Sequence, residues 1–343
     1  MIDVVHLLDD FAHDDVQRAL TVFDRPELTA HACSRTVTIG KRLLAERFDA
    51  DLLVTHVSPN WSSLPFLLSL RRCNRDARLV HVEHIYTEGF VRERVKAPSR
   101  FATLLRLAYS LYDEIVCVSR AQCDWLASDI GIPMGKLRVI HPWCGREELF
   151  ALPTVPLSRE RPLRLVAYGC FTGDKNFTAL IEAACHFMPG DIDLQLIGEG
   201  PEMPAMRAAA AGNRDIRIRG KIDNPAEFLG DSHAVIVPSR HEAFGLVATE
   251  ARMAARPILV ADVDGLPEQV GLAGLARPMR TPSEIAAAID DFGKLPLHAM
   301  GRAGRRRVAG LPRAILAGWE DVFADAGSET AGKVVVPFLR KAA

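Results

Sequence analysis

The chain has 343 residues, room for two domains at about 150 residues each. Its 42 Lys and Arg against 43 Asp and Glu give a net charge of −1, which excludes a general nucleic-acid binder with a basic surface. Apolar residues at 48% and charged residues at 25% are ordinary for a globular protein and exclude disorder, collagen and a disulfide scaffold. In chain order, short β-branched runs predict strands at residues 2–8, 51–57, 78–84, 114–119 and 137–141. Helical patterns lie at 34–48, 64–72, 91–111 and 120–128. Several strands are apolar throughout, as parallel strands covered on both faces are. Three prolines within residues 151–162 read as a linker. The alternation then restarts, with strands at 163–168, 193–197, 216–219, 234–237 and 258–260. The helices of this half are predicted at 177–187, 202–211, 246–255, 283–292 and 313–325. Strand–helix alternation in both halves predicts two Rossmann-like, doubly wound α/β domains with a cleft between their sheets.

The seven cysteines form no C-x-x-C pair, so reduced thiols in a cytoplasmic protein are expected and a zinc site is not. Met1-Ile2-Asp3 is not the basic start of a secretion signal. The apolar stretches at 64–70 and 101–112 are too short to span a membrane. Of the 42 basic residues only 8 are Lys, so a Lys inside a loop motif stands out.

Three segments concentrate the chemistry. In Pro238-Ser-Arg-His-Glu-Ala-Phe-Gly-Leu-Val-Ala-Thr-Glu250, a buried strand ends, a short loop follows and a helix starts near Phe244-Gly245. Free amides at a helix start favour an anion, and Gly245 lets one approach the backbone. Glu250 shares a helical face with Leu246 and Met253, and a carboxylate on an apolar face needs a partner. Sugar or ribose hydroxyls are one such partner; an arginine from elsewhere in the chain is the other. In Tyr168-Gly-Cys-Phe-Thr-Gly-Asp-Lys-Asn176, Lys175 sits where the loop meets a helix start. A cation there opposes the helix dipole unless an anion lies between them; an exposed loop lysine is the plainer alternative. Gly198-x-Gly200 is a partial dinucleotide fingerprint with Met203 in the third glycine position. The chain has no full G-x-G-x-x-G and no Walker A motif, which argues against a dehydrogenase or a P-loop enzyme.

Gly169…Lys175-Asn176, Gly198-Glu-Gly-Pro-Glu202, Gly220-Lys221-Ile222, Pro238-Ser239, Glu242-x7-Glu250 and Gly265-x-x-Glu268 follow one another in this order. Over about residues 160 to 270 this series resembles the nucleotide-sugar half of the retaining glycosyltransferases of family four, which have the GT-B fold. The first half is similar in layout: Val82-Glu-His84 resembles the family's strand ending in His, and Ile115-Val-Cys-Val-Ser119 its V-x-V-S strand. The resemblance implies an acceptor-side domain at 1–155, a nucleotide-sugar domain at 156–310, and a segment at 311–343 crossing back onto the first domain.

By the same resemblance, Glu250 holds the ribose hydroxyls and Glu242 the transferred sugar. Phe244, Gly245 and Leu246 offer amides to the sugar or diphosphate. Lys175 neutralises the leaving diphosphate beside Gly169 and Gly198, Ile222 lines the base pocket, and His84 faces the anomeric carbon. The implied donor is a UDP-, GDP- or ADP-sugar, with no further cofactor and no metal. The acceptor is a glycan, a lipid-linked molecule or a small molecule. In this family retention is described as front-side attack within an ion pair, with the donor phosphate taking the acceptor proton. Glu242 as a nucleophile in a double displacement stays open beside it. A nucleotide-sugar epimerase, another GT-B enzyme and an inactive nucleotide-binding subunit are the alternative functions.

The sequence departs from the family in two places. Cys170 stands where a basic residue usually follows the diphosphate-loop glycine, with Arg240 or another Arg as its substitute. After the first strand comes Asp9-Asp10-Phe11 rather than a glycine-rich loop. Asp191-Ile-Asp193 and Asp262-Val-Asp264 fit a metal pattern but read as turn residues. His13, His56 and His81 read as structural, and Trp143 as core. The basic amphipathic stretch 90–109 allows peripheral contact with the inner membrane face; a solvated helix face is its alternative.

Overall fold

The computed structural model describes residues 1–9, 14–40, 42–156 and 162–332. Asp10, Phe11, His13, the middle of the proline-rich linker and the last part of segment 311–343 lie outside the described residues.

The first sheet contains β1 (Ile2–Leu8), β2 (Ala32–Thr38), β3 (Leu52–Thr55), β4 (Arg78–Glu83), β5 (Glu114–Cys117) and β6 (Leu137–Val139). They run parallel in the order β2-β1-β3-β4-β5-β6. The second contains β7 (Leu163–Tyr168), β8 (Ile192–Ile197), β9 (Ile216–Arg219), β10 (Ala234–Val237), β11 (Ile258–Ala261) and β12 (Gly274–Arg277). These are also parallel, in the order β12-β11-β10-β7-β8-β9. The predicted α/β class with two doubly wound parallel sheets is therefore correct. Strands β3, β5, β10 and β11 are buried at every residue, as their uninterrupted apolar runs require.

Each sheet reverses its winding once, between β1 and β3 and between β7 and β10. The loops leaving adjacent strands diverge there, and the crevice between them is where open parallel sheets bind ligands. The Lys175 loop follows β7 and the Glu242 loop follows β10, so the second switch point brings the two strongest motifs together.

Three elements differ from the sequence reading. The helix expected at 34–48 is instead strand β2, paired residue for residue with β1 from Ile2↔Ala32 to Leu8↔Thr38. The run Thr36-Val-Thr38 suits an edge strand, and pairing overrides a weak helical pattern. The helix expected at 91–111 is two, Glu88–Arg94 and Pro98–Ser110. Pro98 lacks an N–H and pushes Ala97 out of the helical region, to φ −130° and ψ 77°. Strand β12 has only four residues and is recognisable by its pairing with β11. A side chain on Gly274 would meet the Ile258 carbonyl at 1.9 Å, so glycine is needed for that approach.

The closing helix, Leu311–Gly332, packs against the first domain. Trp319 meets Phe23 edge-on at 4.8 Å, and Arg138 of β6 donates to Asp325 at 2.7 Å.

Candidate active site

The loop after β7 and the loop after β10 meet through one ion pair. Lys175 Nζ lies 2.5 Å from Glu242 Oε2, which also accepts from Ser239 Oγ at 3.2 Å. Burial would lower the Lys175 ammonium, but Glu242, Asp174 and Asp15 outweigh it and hold it above its ordinary value. Lys175 therefore stays charged at neutral pH. Arg240 is tied to the same place by its backbone, donating to the Asp174 carbonyl at 2.7 Å.

Glu250 is 2% exposed on helix Leu246–Met253. Its Oε2 accepts from Tyr168 OH at 2.7 Å, and its Oε1 accepts from Arg18 Nη1 of the first domain at 2.9 Å. Burial raises its carboxyl above the usual range, while Arg18 and Tyr168 oppose that shift. Of the two partners the sequence left open for this carboxylate, this state holds the arginine.

Glycines shape the cradle. Gly245 begins the helix at φ +87°, where a Cβ would lie 2.6 Å from Leu266 Cδ2. Gln269 Nε2 holds the turn from behind, donating to the Phe244 and Gly245 carbonyls. Phe244 and Leu246 are both buried, and Phe244 stacks on His141 of the first domain at 4.7 Å. Gly198 and Gly200 serve another purpose. A Cβ on Gly198 would be 1.9 Å from the Gly169 carbonyl, and one on Gly200 would be 2.5 Å from that of Phe171. They let the β8 loop lie directly on the β7 loop, so this pair is accounted for by backbone packing. Ile222 is half-buried after β9 and packs at the edge of the core.

His84 is placed differently. Its Nε2 hydrogen bonds His56 Nδ1 at 2.9 Å, and His56 Nε2 meets His6 Nδ1 at 3.2 Å. Burial pushes His6 down to about 3 and His84 to about 4. His56 is held well below its ordinary value by burial and then by the neighbouring imidazoles. All three rings are thus neutral at neutral pH. A neutral imidazole carries one N–H, so the three tautomers are coupled in one direction along the chain. His84 shares a recess of about 330 Å³ with His56, His141, Trp143 and Trp319. It reaches the second domain through that recess and His141, not through Lys175 or Glu250.

The two domains touch at several further points. Asp264, at φ +45°, accepts from Thr87 Oγ1 at 2.9 Å, Gly89 N at 2.8 Å and Glu242 N at 2.9 Å. Its turn conformation agrees with the sequence reading, but its carboxylate also fastens the Glu242 loop to the first domain. Glu268 accepts from Arg120 N at 2.9 Å and lies 3.6 Å from His141. Asp193, from the other metal-like pattern, pairs with Arg217 at 2.7 Å. Among the described residues no group of three or more His, Cys, Asp or Glu is placed to hold a metal ion.

Arg18, Tyr168 and Asp264 are the site residues that sequence reasoning missed. Tyr168 was visible as the last residue of its strand, but its hydroxyl partner comes from 82 residues away. Arg18 was one arginine among 34. Stretch 90–109 is extensively paired: Arg94 with Asp174, Arg280 with Glu93, Arg100 over the Trp61 ring, and Arg106 on the Ile130 carbonyl. Among the described residues no helix is long and apolar enough to cross a membrane.

Two parallel-sheet domains facing each other across these contacts are the architecture of GT-B glycosyltransferases. Residues 5–144 match the family Glycosyltransferase Family 4, and residues 162–293 match Glycosyl transferases group 1. The chain carries both domains of a glycosyltransferase of GT-B type. It is 33% identical to the D-inositol 3-phosphate glycosyltransferase of Streptomyces bingchenggensis over 62% of this chain and 53% of that one. The chain spans about a quarter to about half of the length of the curated relatives it matches. Its fold is similar to sucrose-phosphate synthase from Thermosynechococcus elongatus, with TM-score 0.75 and 19% identity over 95% of this chain and 99% of that one. It is also similar to HepE from Anabaena, solved with UDP and glucose, with TM-score 0.71 and 14% identity over 96% and 100%.

Proposed function

We propose that this chain is a retaining glycosyltransferase that moves a sugar from a nucleoside diphosphate sugar to an acceptor without a metal ion. The observation that carries the reading is the meeting of Lys175 and Glu242 at the β7/β10 switch point, with Glu250 buried on the helix that follows. Breaking a glycosyl–phosphate bond develops positive charge on the sugar ring and negative charge on the diphosphate. A fixed ammonium and the amides at a helix start stabilise that anion with little reorganisation. In the unliganded protein Lys175 and Glu242 neutralise each other. An arriving diphosphate takes Lys175, which frees Glu242 for sugar hydroxyls beside the reacting carbon. Glu250 and Tyr168 hold the ribose. The UDP and glucose bound to HepE support a nucleotide-sugar donor.

Retention follows from attack on the face the diphosphate leaves, with a donor phosphate oxygen taking the acceptor proton. The acceptor enters from the first domain, past His84. Closure over the donor excludes water and limits hydrolysis. The inner-membrane location and the glycan, lipid-linked or small-molecule acceptor belong to the same proposal.

A thermal-shift screen against UDP, GDP, ADP and their sugars identifies the donor. Proton NMR of the product made with that donor then reads the anomeric configuration. Inversion of the donor's configuration would overturn the retaining mechanism, and activity lost to a chelator and restored by manganese would overturn metal independence.

A further inference from the structure

The cation missing at Cys170 has a counterpart across the cleft. Arg18 lies on helix Asp14–Leu20, directly after β1 and its loop. Its side chain is 24% exposed, and the guanidinium lies between two carboxylates. Nη1 donates to Glu250 at 2.9 Å and Nη2 to Asp15 at 2.5 Å. Nε is buried with no hydrogen-bond partner. Asp15 is also close enough to Lys175 to help hold its ammonium up. Arg18 and Asp15 thus occupy the ground between Glu250, the ribose position, and Lys175, the phosphate position. In a nucleoside diphosphate, the diphosphate lies between the ribose and the sugar.

Glu250 cannot hold ribose hydroxyls with Oε1 and keep Arg18 on the same oxygen at full strength. Donor binding therefore releases a largely buried guanidinium, which needs a new anion. A diphosphate a few ångströms away supplies it, in a geometry that suits a planar fork of donors, including the unpaired Nε. We propose that Arg18 is a ligand of the donor diphosphate, supplied by the first domain and parked on Glu250 until the donor arrives. The proposal rests on the nucleotide-sugar reading above. It gives the ion pair two roles: it masks the ribose carboxylate in the empty protein, and it makes the first domain close on the phosphate rather than on the nucleoside.

The consequence is a split in sign. A nucleoside must displace Arg18 and offers it nothing in return, whereas a nucleoside diphosphate displaces it and re-pairs it. The test is calorimetric titration of the full chain with uridine, guanosine and adenosine, and with UDP, GDP and ADP. The wild type binds at least one diphosphate more tightly than its nucleoside. In Arg18→Ala that diphosphate binds about tenfold or more weakly, the usual scale for a charge-assisted hydrogen bond. The nucleoside binds as well as before or better, because Glu250 has lost its competing cation. Arg18→Gln keeps an uncharged donor and most of the side-chain volume, and it shows the same split even if the alanine variant folds poorly. Equal losses for nucleoside and diphosphate, or no change in either, overturn the assignment and leave the donor reading standing. A wild type that binds none of the three diphosphates more tightly than its nucleoside overturns the donor reading and this assignment together.

Discussion

Glu242 and Glu250 lie eight residues apart but sit in opposite electrostatic settings. Glu242 shares its charge with a lysine at 2.5 Å, whereas Glu250 is buried and its carboxyl is raised by that burial. The two carboxylates should therefore fail differently. Glu250→Ala weakens nucleotide binding by about ten- to a hundredfold, the range of a charge-assisted hydrogen bond, read by titration with the preferred diphosphate. Glu242→Ala lowers kcat by about a hundredfold or more while nucleotide affinity changes little, since the contact it loses is to the sugar. An affinity loss in Glu242→Ala as large as that in Glu250→Ala would show that both bind nucleotide. Gly245→Ala introduces a Cβ at 2.6 Å from Leu266 in a left-handed conformation. It should cost about 1–3 kcal/mol in urea unfolding, the usual scale of such strain.

At the scale of elements, the ends of β1, β3 and β4 place three imidazoles in a row. His6 lies in β1, while His56 and His84 each follow their strand by one residue. In the unfolded chain these rings take up protons near pH 6.5. In the folded chain His84 resists until about 4 and His6 until about 3. The unfolded state thus binds more protons between those values, and stability falls as pH drops from about 6.5 through about 4. Urea unfolding followed at pH 7, 6, 5 and 4 should show this fall. Replacing His6 with Leu should make the slope shallower between pH 4 and 6. An unchanged slope would mean that other groups carry the acid sensitivity.

At the scale of the whole molecule, the cleft is fastened by short polar contacts. Asp264 alone binds Thr87 and Gly89 of the first domain and the Glu242 amide of the second. Loss of this anchor should loosen the two domains and the Glu242 loop together. Asp264→Ala is expected to have a larger radius of gyration than the wild type by small-angle X-ray scattering without donor, and a lower kcat. Saturating donor should restore the compact form, because it bridges the same cleft. A variant as compact as the wild type without donor would assign the closed state to the other contacts, Arg120 on Glu268 and His141 on Phe244.

Periodicity was enough to read most of the central strands, because parallel strands buried on both faces are uninterrupted apolar runs. The same pattern fixed the α/β class, and motif order pointed to the two loops that carry Lys175 and Glu242. The edge strands were not legible in this way. Residues of β2 and β12 alternate or mix in burial, and their conformation comes from pairing with β1 and β11. Nor was the partner of Glu250. Helical spacing showed that this carboxylate faced the core and needed one, but a charge is neutralised by whatever the fold brings within about 3 Å. Only the closing of two sheets across a cleft could bring Arg18 there from 232 residues away.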